Sequence, residues 1–323
     1  MRWPWVFAVM VSSATAEASV ILRLRPARPA TPAPRVDFWR EVIEPNGTEV
    51  AAIVANARLA MSRPDHAING DTDWAVETRA RFHRDAYNML QYARALSPQN
   101  LEVLALLGRA ADELGRTREA IDAFERCAEL AGTDRIMIEV AGRLGAIYLR
   151  LGEHATAVRW LQLVHGGLSP VTAPSLVYLA NALAMHGEVP QAIDTLVNAL
   201  PAPSLGHYPA ETTLASFALA VIYDRDEQRG AAFTVLDRMQ AMLGVQYMSY
   251  LQQELAKLRF PDPADLYYYR GLLYESQAHY AEARAEWTHY AAITDAPWRA
   301  RALEHIAAID ALRRQPQQAR VTP

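Results

Sequence analysis

The sequence predicts an all-α fold, a solenoid of stacked helical hairpins, on three observations. The first is residues 101–134, which divide at Gly115 into two short amphipathic halves. In the first half Leu104, Leu107, Gly108 and Ala111 fall at helical spacing, so one face alternates bulky and small groups and lets a neighbouring helix approach closely. In the second half Ala120, Phe124 and Cys127 share a face, and Gly115 supplies the left-handed residue that ends the first helix. The second observation is recurrence. The order Gly108, Gly115, Ala120, Phe124 returns as Gly145, Gly152, Ala157, Leu161 and as Ala180, Gly187, Ala192, Leu196. It returns more loosely as Ala220, Glu227, Ala232, Leu236 and as Gly271, Ala278, Ala283, Trp287. The third is the period. The second-helix alanines at 120, 157, 192, 232 and 283 are about 37, 35, 40 and 51 residues apart, the spacing of a helical repeat plus insertions.

The elements follow in order from that register. Residues 1–18, MRWPWVFAVMVSSATAEA, place Arg2 before an apolar run and end in small residues, the three-part layout of a secretory signal. Cleavage is expected after Ala16 or Ala18. An uncleaved inner-membrane anchor is the alternative, although the apolar run is shorter than the roughly 20 residues that span a bilayer. Residues 19–36 form a linker rich in proline and arginine, semi-rigid where proline fixes the backbone. Residues 37–98 read as an irregular N-terminal cap containing a degenerate repeat. Hairpins follow at 101–134, 138–168, 173–200, 211–243 and 264–296, with an additional helix over 245–260 accounting for the long gap. Residues 297–314 predict a capping helix with Ala300, Leu303, Ile306, Ile309 and Leu312 inward, and 315–323 a disordered tail.

With Leu104, Leu107, Gly108, Ala120 and Phe124, then Leu144, Gly145, Tyr148, Gly152 and Ala157, the chain resembles a tetratricopeptide-repeat (TPR) protein. Leu176, Leu179, Gly187, Ala192 and Ala199 continue the resemblance, as do Leu219, Ala220, Tyr223 and Ala232, and finally Tyr267, Gly271, Tyr274, Ala283 and Trp287. With the N-terminal segment, it is similar to an exported bacterial member. The resemblance implies a right-handed superhelix whose first helices line a concave side. It also implies protein binding rather than enzyme activity.

On that side the register places Arg109, Asp112, Arg143, Tyr178, Asn181, Phe217, Val221, Tyr268, Tyr269 and Leu272 as candidate partner contacts. Lysines and asparagines that grip a peptide carboxylate in some family members are replaced here by Ala105, Gly142, Val177 and Arg109. An apolar helix or extended segment of a protein partner is therefore expected, with Asn181 bonding to its backbone. The alternative at this level is that Phe217, Tyr268 and Tyr269 pack against Tyr178, the additional helix or the closing helix and fill the groove. Self-association through the end helices, with Met248, Tyr250, Leu251 and Leu255 in contact, is the second functional reading.

No phosphate-cradling glycine loop, GxSxG elbow or HExxH motif occurs, so no catalytic residue, cofactor or metal site is expected. A net charge of −4 argues against a nucleic-acid partner. Cys127, the one cysteine, excludes an intrachain disulfide and reads as a small core residue. Export to the periplasm or envelope follows from residues 1–18, with membrane proximity through the N-terminus.

Overall fold

The computed structural model describes residues 45–67, 73–165, 173–200, 210–258, 260 and 262–318. The expected signal segment, the linker, the start of the cap and the last five residues lie outside them. Helices α1 (Gly47–Ala67) and α2 (Asp73–Leu96) pack on each other and lead into the first regular hairpin. Its helices are α3 (Leu101–Glu113) and α4 (Thr117–Ala131), followed by α5 (Ile136–Arg150) with α6 (His154–His165) and α7 (Ala173–Met185) with α8 (Val189–Ala199). The chain continues through α9 (Ala210–Arg225), α10 (Arg229–Leu243) and α11 (Tyr247–Lys257), then α12 (Ala264–Ser276), α13 (Tyr280–Ala291) and α14 (Arg299–Gln318). Each hairpin packs on the next, and the first helices α1, α3, α5, α7 and α9 touch one another in that order. Among the described residues all regular structure is helical. The architecture is the expected all-α solenoid of stacked hairpins.

Close approach within the hairpins takes the predicted form. A methyl group built on Gly108 would lie 2.7 Å from the Phe124 ring, one on Gly145 would lie 2.4 Å from Leu161, and one on Gly271 would lie 2.7 Å from the Trp287 indole. In each hairpin the glycine is thus the hole and the residue four after the second-helix alanine is the knob. Ala120, Ala157, Ala192, Ala232 and Ala283 are all fully buried beside these crossings.

The turns repeat as faithfully as the crossings. The amides of Arg116, Glu153, Glu188, Gln228 and His279 donate to the carbonyls of Ala111, Tyr148, Leu183, Tyr223 and Tyr274 at 2.8–2.9 Å, a bond that closes each first helix through a left-handed residue. That residue is glycine in the three regular hairpins, with φ of 71°, 77° and 89°, but Glu227 at 60° and Ala278 at 56° in the last two. The backbone solution is therefore kept where the side chain no longer favours it. At the opposite end of α3, the Asn100 side chain accepts from the Val103 amide at 3.1 Å, and Asp262 does the same for Ala264 at 2.8 Å ahead of α12.

Two of the helices outside the regular hairpins present other faces than expected. In α14 the inward residues are Ala302, His305 and Ile309, while Leu303 and Leu312 are exposed, so the helix is rotated from the predicted stripe. In α11, Leu251 and Leu255 are buried within this chain, joined by Tyr247 and Leu258.

Candidate functional site

The ten candidate contact residues separate into two groups. Arg109, Asp112, Arg143 and Tyr178, on α3, α5 and α7, are half-buried. Asp112 bridges to Arg150 at 2.5 Å and so ties α3 to α5. Gly142, beside Arg143, has no atom nearer than 3.8 Å to an added methyl group. This stretch of first-helix surface has room at its small residues and charge at its rim.

The other six candidates are interior, which corrects the expectation that they line an open groove. Phe217, Val221, Tyr268, Tyr269 and Leu272 are fully buried, and Asn181 nearly so. The physical reason is that elements outside the repeat period cover them. Phe217 and Phe260 both present edges to Tyr269, at 5.7 and 4.9 Å between ring centroids. Tyr268 meets Trp287 at 4.8 Å, Tyr290 at 5.1 Å and Trp298, ahead of the closing helix, at 6.3 Å. Asn181 is not free for a partner backbone either, because its side-chain oxygen accepts from Arg225 at 3.2 Å. The filled-groove alternative describes this half of the molecule.

What fills it is a buried network of charges that corresponds to no sequence motif. Asp224, in the last turn of α9, accepts from Tyr268 at 2.7 Å and from Arg301 at 2.8 Å, and lies 2.9 Å from His305 Nε2. Glu275, in the last turn of α12, is treated alike: Arg229 donates at 2.7 Å and Trp287 Nε1 at 3.0 Å, and His305 Nδ1 lies 2.7 Å away. A carboxylate at the end of a helix faces the negative pole of the helix dipole, so each needs cations or strong donors to remain ionised away from water. Burial pushes the Asp224 carboxyl up, but its bonds to His305, Arg301 and Tyr268 outweigh that and hold it down at about 2. For His305 burial works against the charged form, and hydrogen bonds to Asp224 and Glu275 reverse the balance, raising its pKa. The imidazole also stacks on Trp287, 4.3 Å between centroids and 10° from parallel.

Arg225 anchors the adjoining corner. It donates to Asp265 at 2.6 Å and lies 3.7 Å over the Trp298 ring. The Trp298 amide in turn donates to the Tyr290 hydroxyl at 3.4 Å, and burial raises the Tyr290 and Tyr269 phenols to about 12. Tyr268, Trp287, Arg225, Arg229 and Arg301 all donate to a carboxylate on another helix of the same chain, an arrangement that fastens helices together. The visible signal was the shared register of Asp224 and Glu275, each four residues after the close-approach residue, together with Trp298, Arg301 and His305 at helical spacing.

Cys127 is fully buried, its thiol 3.3 Å from the Leu101 carbonyl and raised by burial to about 11. Among the described residues no group of His, Cys, Asp or Glu is arranged to hold a metal ion, and no helix is long and apolar enough to cross a membrane.

Residues 101–134 match the tetratricopeptide-repeat family model. No curated protein matches the chain. Similar solved structures include YrrB, reported as a TPR protein with an unusual peptide-binding site, at 17% identity and a TM-score of 0.46 over 68% of this chain and 98% of that one. PilW, a type IV pilus biogenesis factor, is 15% identical with a TM-score of 0.47 over 78% and 98%. MamA is 17% identical with a TM-score of 0.43 over 58% and 99%. The fold is an all-α solenoid of tetratricopeptide-repeat type, and residues 101–134 are one such repeat.

Proposed function

We propose that the protein is a non-enzymatic scaffold that holds a segment of another protein against the first helices of its N-terminal hairpins. Arg109, Asp112, Arg143 and Tyr178 are the proposed contacts. The observation that carries this reading is the contrast between first helices: α3, α5 and α7 keep charged and aromatic side chains half-exposed at Arg109, Asp112, Arg143 and Tyr178, whereas the candidates on α9 and α12 are sealed by their own chain. A rigid curved face with residual polar rim and small residues suits a bound helix or strand, whose side chains enter the gaps while polar groups set its register. Phe217, Val221, Asn181, Tyr268, Tyr269 and Leu272 take no direct part in this reading. They are buried among the helices of the C-terminal half.

The decisive comparison is between Arg143→Glu on α5 and Arg126→Glu on the exposed face of α4. Capture of a protein partner should be lost in the first and kept in the second, with equal melting temperatures. Equal capture by both removes this face as the contact surface.

An envelope location rests on residues 1–18 alone. Sequencing the N-terminus of the native protein tests it. A mature chain beginning after Ala16 or Ala18 is expected, and an intact start in a soluble fraction counts against it. The second reading, a subunit that stacks through its end helices, is weakened because Leu251 and Leu255 are buried within this chain.

A further inference from the structure

We propose that the closing helix α14 is a proton-held latch, in which cationic His305 clamps α14 across Asp224 of α9 and Glu275 of α12, and loss of its proton loosens the helix from the last hairpin. The number of N–H donors on the ring decides between its two states. A neutral imidazole carries one N–H and one lone pair, whereas an imidazolium donates from both nitrogens. Here Nε2 lies 2.9 Å from Asp224 Oδ2 and Nδ1 lies 2.7 Å from Glu275 Oε2. In the neutral ring one of those contacts would set a lone pair against a carboxylate oxygen, in a place closed to water. Only the imidazolium satisfies both.

Transferring the burden to a protonated carboxyl does not relieve the conflict. Asp224 already receives Tyr268 and Arg301, and Glu275 receives Arg229 and Trp287, so each carboxylate has two donors besides the histidine. Those donors already occupy both carboxylates, and two buried acceptors then hold the proton on the ring between them.

The charged and titratable groups around the ring come from every helix packed there: Asp224 and Arg225 from α9, Arg229 from α10, and Asp265, Tyr268 and Glu275 from α12. Tyr290 lies on α13, and Arg301 and Glu304 on α14 itself. The arginines keep their charge at any accessible pH, so His305 is the group whose charge changes first as pH rises from neutrality. Two other histidines move the other way: burial lowers His154 and His165.

The sign follows from linkage. A group whose pKa is higher in the folded than in the unfolded chain contributes its full stabilisation below the unfolded value, about 6.5 for histidine, and loses it as pH climbs through the folded value. The latch is therefore closed at acidic and neutral pH and loosens on the alkaline side. Arg301 remains paired with Asp224 throughout, so the helix frays from its central turn rather than departing as a unit.

The test uses the full chain without substitution. Side-chain ¹⁵N–¹H spectra recorded from pH 5.5 to 9.5 should show both His305 ring nitrogens protonated at pH 7.5, with a midpoint above the ordinary histidine value. Amide protection in α14, normalised for intrinsic exchange, should fall through that same midpoint, about tenfold for each unit by which the midpoint is raised, while α3 to α6 stay level. Glu275→Gln, which removes one of the two flanking charges, should lower the midpoint. A single ring N–H at pH 7.5 overturns the proposal, and so does α14 protection that stays constant while His305 titrates.

Discussion

Arg150 and Arg225 stand at the same point of the repeat, five residues after the close-approach residue of their helices, Gly145 and Ala220. Each reaches a carboxylate on another first helix at nearly the same distance, 2.5 Å to Asp112 and 2.6 Å to Asp265. Their surroundings differ: the Arg150 side chain is 41% exposed and that of Arg225 is 2% exposed, roofed by Trp298. A solvated pair gains little over its hydrated ions, while a sealed pair has given up water and depends wholly on its partner. One register position thus serves as trim in the N-terminal hairpins and as a structural pin in the C-terminal ones. The C-terminal joint is not stronger for containing charges. It is more exacting, since each charged group is tolerated only while the others are in place.

The largest effect that tests this contrast is Arg225→Ala, expected to destabilise by about 3–5 kcal/mol in urea unfolding, because it strands Asp265 without its cation. Burial already raises the Asp265 carboxyl despite the guanidinium beside it. A cost below about 1 kcal/mol would place the two arginines in one class. Next come the two glycine crossings. Gly271→Ala should cost about 1–3 kcal/mol and shift the tryptophan emission, since the indole it strikes is pinned by Glu275 and stacked on His305. Gly145→Ala strikes an aliphatic side chain with no polar tie and should cost less. The reverse order would mean that the network does not stiffen its neighbours.

Ala278→Gly should stabilise by about 1 kcal/mol, because φ of 56° suits glycine and strains alanine. A melting temperature unchanged or lowered would refute it. Smallest of all, Arg150→Ala should cost no more than about 1 kcal/mol, and that little should vanish in high salt. Acid distinguishes the halves as well. Asp224 is held at about 2, so its contribution is present above the ordinary aspartate range and is lost as pH falls toward 2. Near-ultraviolet dichroism of the C-terminal tryptophans should report that loss.

The hairpins were legible because each one solves the same packing problem. Gly108 with Phe124, Gly145 with Leu161 and Gly271 with Trp287 are three instances of one hole and one knob, and repetition separates such a pattern from chance. The turns were legible for the same reason, even where Glu227 and Ala278 replace glycine. The limits of that reading lie where the chain departs from its period. Nothing in the repeat indicates that Phe260 and Trp298 come to rest on Tyr269 and Tyr268, so those tyrosines were expected at an open face. The rotation of α14 escaped for another reason. Counting apolar residues favours Leu303 and Leu312, but Asp224 and Glu275 call for cations, and the helix turns Arg301 and His305 inward to meet them. Among the four candidate contacts that keep exposure, Arg109, Asp112, Arg143 and Tyr178, all lie in hairpins whose first-helix face was read from the regular pattern.

The bonds from Asp224 to Arg301 and His305 span 77 and 81 residues in a molecule whose other contacts are mostly between neighbours. On the ribosome the early hairpins can stack as they emerge, each needing only what has just been made. Helix α9 cannot finish in that way. Its terminal aspartate must wait, solvated and without its two cations, until the chain as far as residue 305 has left the exit tunnel. A chain broken off before residue 301 would therefore carry a complete front and an unresolved rear.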